Sequence, residues 1–382
     1  MKLAILVTLM KRFGAKGFYN SQEIGLGRAL SEMGHEVTIF KGVKDKSQVE
    51  TVQINERLTI HYLAMPCFVA HGYMPTRLMD KDLDGILCFS DQQIFMRHVA
   101  AFCKRNKIVF VPYIGTAHSM YLNTLRGKIM DDLFAILTLP VYKRLPLLVK
   151  TDTAKQELVE LGVDGSRISV APVGIDTAVL NHNFYKADRA ALRKEFGFAE
   201  DDVILCNVSR LEEDKRPFDL LKIFEHVRGK KKFKLLIVGK GPLREEIDKK
   251  IAEIGAQDEV RIIDSVPYDN MWKIYTVSDY YVNMSKVEIF GMAIMEAIYY
   301  RTSVAAAYAM GPSITLKGMR GHKLCMSDEE IEAWITGPYP SEEELAESAE
   351  KVVSDFSWKR TAEAFVKQVE SQSLKQHSLF KG

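Results

Sequence analysis

The 382-residue sequence has little cysteine and no long apolar run. Its five cysteines are scattered, odd in number and without a CxxC pair, which argues against a structural zinc site and for reduced thiols. No apolar stretch approaches the roughly 18 residues of a membrane span, and none resembles a signal peptide. We therefore expect a cytoplasmic protein.

Two motifs that define other enzyme classes are also missing. A dehydrogenase needs GxGxxG directly after its first strand, and Gly14, Gly17, Gly25 and Gly27 do not have that spacing. A hydrolase with a nucleophile elbow needs GxSxG, which does not occur. Both classes are therefore disfavoured.

What the sequence does contain is two series of short apolar runs alternating with helical stretches. The length alone predicts two domains of about 150–200 residues each. Buried strands alternating with helices are typical of parallel sheets covered on both faces. The predicted strands are 4–7, 37–40, 86–89, 108–111 and 147–149, then 203–208, 234–238, 260–263, 280–284 and 303–306. We expect an α/β protein of two Rossmann-like domains facing each other across a cleft, with ligands at the carboxyl ends of the strands.

The polar stretch 181–202 between the two series is predicted to be a hinge without regular structure. We place the N-terminal domain at residues 1–175 and the C-terminal domain at 176–356. A helix at about 357–376 is expected to pack back on the first domain.

The most informative segment is Glu288-Ile289-Phe290-Gly291-Met292-Ala293-Ile294-Met295-Glu296. It follows the predicted strand 280–284 and opens a helix, so Glu288 lies in the loop and Glu296 in the helix. Free amides near Gly291 and Met292 suit an anionic diphosphate, and carboxylates at either end suit sugar hydroxyls. Alternatively, the two glutamates lie on an ordinary packing helix.

This segment resembles the EX7E motif of glycosyltransferase family 4. Other segments resemble that family in the same order: Gly34-His35-Glu36-Val37, Pro172-Val173-Gly174-Ile175-Asp176, Ser209-Arg210-Leu211 with Lys215, and Val238-Gly239-Lys240-Gly241-Pro242. The resemblance runs from the first strand to about residue 315. It implies the GT-B fold and a retaining glycosyltransferase that moves a hexose-type sugar from a nucleotide-diphosphate donor, with UDP favoured.

The resemblance also implies that the N-terminal domain, residues 1–175, is the acceptor side and that the C-terminal domain, residues 176–356, binds the nucleotide-sugar donor. Glu288 would contact the transferred sugar and Glu296 the ribose, while Phe290, Gly291 and Met292 complete the donor site. Arg210 and Lys215 would neutralise the leaving diphosphate. From the residues alone, Arg210 equally fits a salt bridge with its acidic neighbours 212–214, and Lys215 a solvated loop charge.

His118 follows the strand 108–111, where the family carries a histidine that faces the donor sugar. A lone histidine is more often structural, and only the resemblance favours a catalytic role. Gly17 corresponds to one of two adjacent glycines that approach the diphosphate, but the second is Phe18 here, which cannot readily adopt a positive φ. Met310-Gly311-Pro312 replaces another expected glycine pair.

No cofactor or metal is expected. Asp80, Asp82, Asp84 and Asp91 nearly match a calcium-binding loop, and Asp82-Leu83-Asp84 matches a metal-binding DxD, but the predicted strand 86–89 disfavours both interpretations.

Charge and composition bear on the acceptor. Residues 1–172 hold 22 Lys and Arg against 16 Asp and Glu, and basic and apolar residues interleave at 122–130 and 142–146. These features fit ordinary surface, or contact with an anionic membrane at its inner face. The resemblance implies a saccharide or lipid-linked acceptor in cell-envelope polysaccharide or glycoconjugate synthesis, and we expect no nucleic acid partner. An epimerase or phosphorylase on the same fold and a non-catalytic sugar-nucleotide scaffold remain alternatives.

Overall fold

The computed structural model describes residues 1–10, 16, 21–118 and 124–378. Within these ranges the chain divides into two compact units. Unit 1 comprises Met1–Asp176 and Phe356–Gly382, and unit 2 comprises Thr177–Asp355. Each unit has its own sheet and its own buried apolar core.

Unit 1 is built on an eight-stranded sheet of order β10-β9-β8-β7-β1-β2-β4-β3, in which only the edge pair β3–β4 is antiparallel. A two-stranded hairpin, β5–β6, stands apart from this sheet. The strands are β1 Lys2–Val7, β2 Glu36–Val43, β3 Glu50–Asn55, β4 Leu58–Ala64, β5 Cys67–Phe68, β6 His71–Gly72, β7 Gly85–Phe89, β8 Val109–Ile114, β9 Leu147–Val149 and β10 Ile168–Val170.

Unit 2 is built on a six-stranded, all-parallel sheet of order β13-β12-β11-β14-β15-β16. Counted within the unit, this is the order 3-2-1-4-5-6 of a doubly wound dinucleotide-binding fold. The strands are β11 Val203–Val208, β12 Phe233–Val238, β13 Val260–Ile263, β14 Tyr280–Asn283, β15 Ser303–Ala307 and β16 Lys323–Cys325.

Helices cover the sheets because parallel neighbours require crossover connections. The helices of unit 1 are α1 Gln22–Glu32, α2 Arg97–Asn106, α3 Leu125–Leu133, α4 Leu139–Tyr142, α5 Asp152–Glu160 and the final α14 Trp358–Ser378. Those of unit 2 are α6 Arg189–Glu195, α7 Pro217–Val227, α8 Arg244–Glu253, α9 Met271–Val277, α10 Met292–Tyr299, α11 Met310–Thr315, α12 Asp328–Thr336 and α13 Glu342–Asp355.

The last helix, α14, packs on α1 within unit 1. Gly25 and Gly174 permit this close approach. A Cβ on Gly25 would lie 2.4 Å from Nε1 of Trp358, and one on Gly174 would lie 2.2 Å from the backbone N of Trp358. The aromatic ring of Trp358 is 4% exposed, so it anchors the start of α14 on the first domain's helix layer.

The predicted α/β class with parallel sheets is confirmed, but two local predictions need correction. The stretch 181–202 is not structureless, because it contains α6. Asp188 caps this helix by accepting a hydrogen bond from Ala191 N at 3.0 Å, and the buried Arg193 donates to Asp279 and to Val277 O. The predicted strands also include no antiparallel edge pair, whereas β3 and β4 form one.

Candidate functional site

The candidate site of unit 2 lies where the order of its sheet reverses. Strands β11 and β14 are neighbours, and their connections lead to opposite sides of the sheet. The loop after β11 carries Arg210 and Lys215, and the loop after β14 carries Glu288 and Gly291. Ligands of doubly wound folds bind in the crevice at such a switch point. The topology therefore brings the two predicted segments to one edge of one sheet.

Lys215 and Glu288 form a direct pair between these loops. The Lys215 ammonium donates to Oε2 of Glu288 at 3.0 Å and to the carbonyl of Val287 at 3.3 Å. The Lys215 side chain is 12% exposed, and that of Glu288 is 23% exposed. Lys215 is therefore not a solvated loop charge. A backbone hydrogen bond from Lys286 N to Asp214 O, at 3.0 Å, further joins the loops.

Arg210 interacts with acidic residues of its own loop. Its guanidinium forms ion pairs with Glu212 and, at 3.3 Å, with Asp214. This is the salt bridge that the sequence also suggested. About a third of the Arg210 side chain stays exposed, so its ion pairs are partly open to competition from an anion.

Gly291 ends the loop and starts α10. Its φ of +90° and ψ of 58° lie in the left-handed region, which glycine adopts at little cost. The adjacent Phe290 is 4% exposed and fixes the loop in the core. The amides of Met292 and Ala293, the first two of α10, have no intrahelical acceptor and lie at the positive end of the helix dipole. They form a surface suited to an anion.

Glu296 lies deeper than the sequence suggested. It is 1% exposed, and its carboxylate accepts hydrogen bonds from Tyr275 at 2.9 Å and from Tyr268 at 3.3 Å. These two phenol donors satisfy acceptor positions of a carboxylate at a buried position. Neither tyrosine is predicted from the sequence, because nothing in their spacing shows that α9 and the turn before it pack against α10.

Glycines hold the supporting loops at close range. A Cβ on Gly239 would lie 1.8 Å from the carbonyl oxygen of Ser209, and one on Gly241 would lie 2.3 Å from that of Leu211. The glycine-rich turn after β12 thus packs directly under the Arg210 loop. Gly311 has a similar position, since its N–H donates to the Glu288 carbonyl at 2.6 Å.

Buried polar groups line the strand ends beneath these loops. Asn207 donates to the carbonyl of Val282 at 2.8 Å, and Asn283 accepts from Ser285 N at 3.0 Å. Tyr281 is fully buried, and burial raises the pKa of its phenol well above the ordinary value, with a smaller contribution from the nearby Glu288 charge. These contacts fix the ends of β11 and β14 and so the loops that follow.

His118 is the predicted site residue of unit 1 that lies among the described residues. His118 is exposed just beyond β8, and its backbone N donates to Oγ1 of Thr116 at 3.1 Å. The preceding Ala117 N donates to Oε2 of Glu157 at 2.8 Å, so α5 fixes the course of this loop. Gly17 and Phe18 lie outside the described residues.

The acidic segment that resembles metal-binding motifs has other partners. Asp82 forms an ion pair with Lys2, and Asp84 accepts from the backbone N of Lys2 at 2.8 Å. Among the described residues no group of three or more His, Cys, Asp or Glu side chains is arranged to hold a metal ion. None of the helices formed by these residues is both long and apolar enough to cross a membrane.

Comparison with known proteins agrees with this geometry. Residues 188–371 match the family model described as glycosyl transferases group 1, a range that contains all of the unit 2 site residues. An uncharacterized glycosyltransferase of Methanocaldococcus jannaschii is 22% identical over 343 residues, 88% of this chain and 85% of the relative. A D-inositol 3-phosphate glycosyltransferase of Nocardia farcinica is 27% identical over 236 residues. The match covers 58% of this chain and 51% of the relative, so the chain spans only about half the length of that protein.

The fold matches solved structures over its whole length. The structure of Anabaena Alr3699/HepE in complex with UDP-glucose superposes with a TM-score of 0.68 at 14% identity, covering 98% of this chain and all of the other. The family match, the named relatives and the shared architecture of two parallel-sheet units agree. The chain is therefore a glycosyltransferase, an enzyme with the GT-B fold whose residues 188–371 match the group 1 glycosyl transferase model.

Proposed function

We propose that this enzyme is a retaining hexosyltransferase of family 4 that uses a UDP-sugar donor. The observation that carries the proposal is the Lys215–Glu288 pair at the switch point of unit 2, beside the start of α10. A cation, a carboxylate and free helix amides meet the needs of a sugar diphosphate, which presents hydroxyls and two phosphates together. The UDP-glucose bound by Anabaena HepE supports uridine as the base.

In the proposed arrangement, Lys215 and Arg210 neutralise the diphosphate as the bond to the sugar breaks. The amides near Gly291 and Met292 bind the same phosphates, and Phe290 supports their loop. Glu288 accepts hydrogen bonds from the transferred sugar. These protein cations replace a metal ion, so the reaction requires no metal or other cofactor.

Glu296 is proposed to bind the ribose. Carboxylates accept hydrogen bonds from sugar hydroxyls, and the hydroxyls of Tyr275 and Tyr268 already hydrogen-bond this carboxylate. The tyrosines then orient Glu296 before the donor arrives, which lowers the entropy cost of binding.

Unit 1 is proposed to bind the acceptor, with His118 and Gly17 approaching the donor sugar and diphosphate. No candidate nucleophile was identified in the sequence. Retention is therefore proposed to occur by attack of the acceptor hydroxyl on the face that the diphosphate leaves, with the phosphate taking the proton.

For the acceptor we propose a saccharide or glycolipid of cell-envelope polysaccharide or glycoconjugate synthesis. In α3, Leu125 is 77% exposed and Ile129 50% exposed, with the exposed Lys128 between them. Such a surface suits peripheral contact with the inner face of an anionic membrane, in a cytoplasmic protein. The names of the relatives favour transfer over the epimerase, phosphorylase and scaffold alternatives.

The first test is thermal unfolding with UDP, GDP, ADP and NAD in the presence of EDTA. A ligand at about 100 times its Kd stabilises the folded state by about 2.7 kcal/mol. We expect UDP alone to raise the melting temperature, and UDP-glucose hydrolysis or transfer to proceed in EDTA. Stabilisation by NAD alone, or activity only after Mn²⁺ is added, would contradict the proposal.

A further inference from the structure

Three aromatic side chains form a cluster in unit 1, and one of them is open to solvent. Tyr73 follows β6, and its ring stacks on that of His98 with centroids 3.9 Å apart and planes 9° from parallel. The ring of Phe95 packs at a steep angle against Tyr73, at 5.8 Å and 71°. Tyr73 is nevertheless 43% exposed. The cluster therefore supports the Tyr73 ring from within the fold and leaves surface on which a ligand can pack.

The fold places this cluster at a switch point that unit 1 has of its own. Strands β1 and β7 are neighbours at the point where the sheet order reverses. Next to Tyr73, Gly72 N donates to the carbonyl of Thr8 at 2.8 Å, which ties the end of β6 to the chain just after β1. His98 lies in the first turn of α2, the helix that follows β7. The cluster thus lies beside the carboxyl ends of both strands, where ligands of doubly wound sheets bind.

The Tyr73 ring is held in place by its neighbours. The backbone N of Tyr73 donates to the carbonyl of Pro66 at 2.7 Å, which joins it to the segment after β4. Nε2 of His98 donates to the carbonyl of Met74 at 2.8 Å, so the supporting imidazole is fixed as well. A tyrosine fixed in this way presents a large contact area and loses little side-chain entropy when a ligand binds.

The charge distribution of the cluster indicates which ligand it suits. The face of an aromatic ring carries partial negative charge, so it attracts C–H groups that carry partial positive charge. The C–H groups of a pyranose have this character, because each carbon bears an oxygen, and they project from the faces of the sugar ring. An organic cation would also pack on such a face. However, the exposed Arg97 and the N-terminus of α2, which has no acidic residue in its first turn, make the surroundings positive. The surface therefore favours an uncharged sugar ring.

We infer that a pyranose ring of the acceptor stacks on the exposed ring of Tyr73. The inference rests on the proposed function, in which unit 1 binds the acceptor and the donor occupies unit 2. It adds a residue that determines acceptor specificity and that no sequence motif indicated. Tyr73 acts in binding, while the chemistry stays with the donor site.

Two variants of Tyr73 isolate the aromatic face. Tyr73→Phe keeps the ring, and Tyr73→Leu keeps apolar bulk without a π face. Tyr185→Leu removes a 62% exposed tyrosine of unit 2 and is the matched control. Saturation-transfer NMR on the full-length protein measures binding of the methyl glycosides of glucose, galactose, mannose and N-acetylglucosamine, without donor.

We expect at least one glycoside to bind the wild type through its C–H protons. Tyr73→Leu should bind it about five- to tenfold more weakly, whereas Tyr73→Phe and the control should stay within about twofold of the wild type. Equal affinities of the wild type and Tyr73→Leu, or no binding of any glycoside to the wild type, would overturn the inference.

A second measurement does not depend on the folding of Tyr73→Leu. In wild-type protein labelled with ¹³C-tyrosine, the ring signal of Tyr73 is assigned by its loss in Tyr73→Phe. This signal should shift when the glycoside is added, and an unchanged signal would also overturn the inference.

The inference and the proposed function fail separately. UDP binding without glycoside binding that depends on Tyr73 refutes the inference alone. A wild type that neither binds UDP nor hydrolyses or transfers a donor sugar refutes the proposed function, and the acceptor role of Tyr73 with it. Weaker sedimentation of Tyr73→Leu than of the wild type with phosphatidylglycerol vesicles, in the absence of glycoside binding, would make Tyr73 a membrane contact and overturn the inference.

Discussion

The ammonium of Lys215 lies 3.0 Å from a carboxylate oxygen of Glu288, although 73 positions separate the two residues in the chain. The pair forms because β11 and β14 are neighbours at the centre of one sheet, and each residue follows one of these strands. With both side chains mostly buried, each holds the other in a fixed position before any ligand binds. Charges that are held in position before the substrate binds stabilise a leaving group most effectively.

Replacing Lys215 with Met should therefore remove catalysis more than binding. The methionine keeps the length of the side chain but cannot neutralise the leaving phosphate, and a loss of about 10²–10³ in kcat is expected. Steady-state hydrolysis or transfer from UDP-glucose measures the effect. Lys222→Met, at an exposed position of α7, is the matched control and should keep wild-type activity. Comparable activity of the two variants would contradict the role of Lys215.

A similar argument applies to Glu296 and its two tyrosines. Glu296→Gln keeps one carbonyl acceptor for Tyr275 but loses the charge and half of the acceptor capacity. We expect UDP to bind about tenfold more weakly, as one charge-assisted hydrogen bond to ribose is lost. Isothermal titration with UDP, and with uracil as a ligand without ribose, separates the effects. An equal loss of affinity for both ligands would show that Glu296 acts on the base or on the fold.

The sequence predicted the strands, the loop and the helix that form this site, but it did not predict most of the contacts between their side chains. The strands, the loop with Glu288 and the helix with Glu296 follow from local apolar runs and one glycine, which are properties of neighbouring residues. The Lys215–Glu288 pair depends on strand order, which only the family resemblance suggested. The bonds from Tyr268 and Tyr275 to Glu296 depend on how α9 packs, which has no local signal. The hinge prediction failed for a related reason, since α6 is stabilised by Arg193 contacts with residues more than 80 positions away.

Because Gly239 lies very close to Ser209, adding one methyl group at Gly239 should strongly destabilise unit 2. A Cβ at Gly239 would lie 1.8 Å from a backbone oxygen, which cannot move without displacing the Arg210 loop. Gly239→Ala should destabilise unit 2 by more than about 2 kcal/mol and reduce activity. Gly229→Ala is the control, since its Cβ would meet no atom within 4 Å. Urea unfolding of both variants tests this, and equal midpoints would contradict it.

The stability of unit 1 should depend on a buried ion pair between Lys41 and Glu23. The ammonium of Lys41 in β2 lies 2.5 Å from the carboxylate of Glu23 in α1, and the side chains are 1% and 4% exposed. Lys41→Met leaves a buried carboxylate without this cation and should cost about 3–5 kcal/mol, whereas the double variant with Glu23→Leu should recover most of the loss. Denaturant unfolding of the wild type, of Lys41→Met, of Glu23→Leu and of the double variant gives the coupling free energy. Additive losses would show that the two side chains do not depend on each other.

His322 should make unit 2 sensitive to acid. Its Nδ1 accepts from Val304 N at 3.0 Å, and burial lowers the imidazole pKa to about 3. Since the unfolded chain has the ordinary pKa near 6.5, it binds a proton between these two values that the folded chain does not bind. The free energy of unfolding should therefore fall with decreasing pH in this window, by up to about 1.4 kcal/mol per pH unit, and this contribution should be constant above it. His322→Asn keeps an acceptor for Val304 but does not titrate, so its stability should fall less steeply from pH 6.5 towards pH 4. The other histidines contribute equally to the wild type and to His322→Asn, so they cancel when the two stability–pH curves are compared. Parallel curves would show that His322 becomes protonated without unfolding and would contradict the prediction.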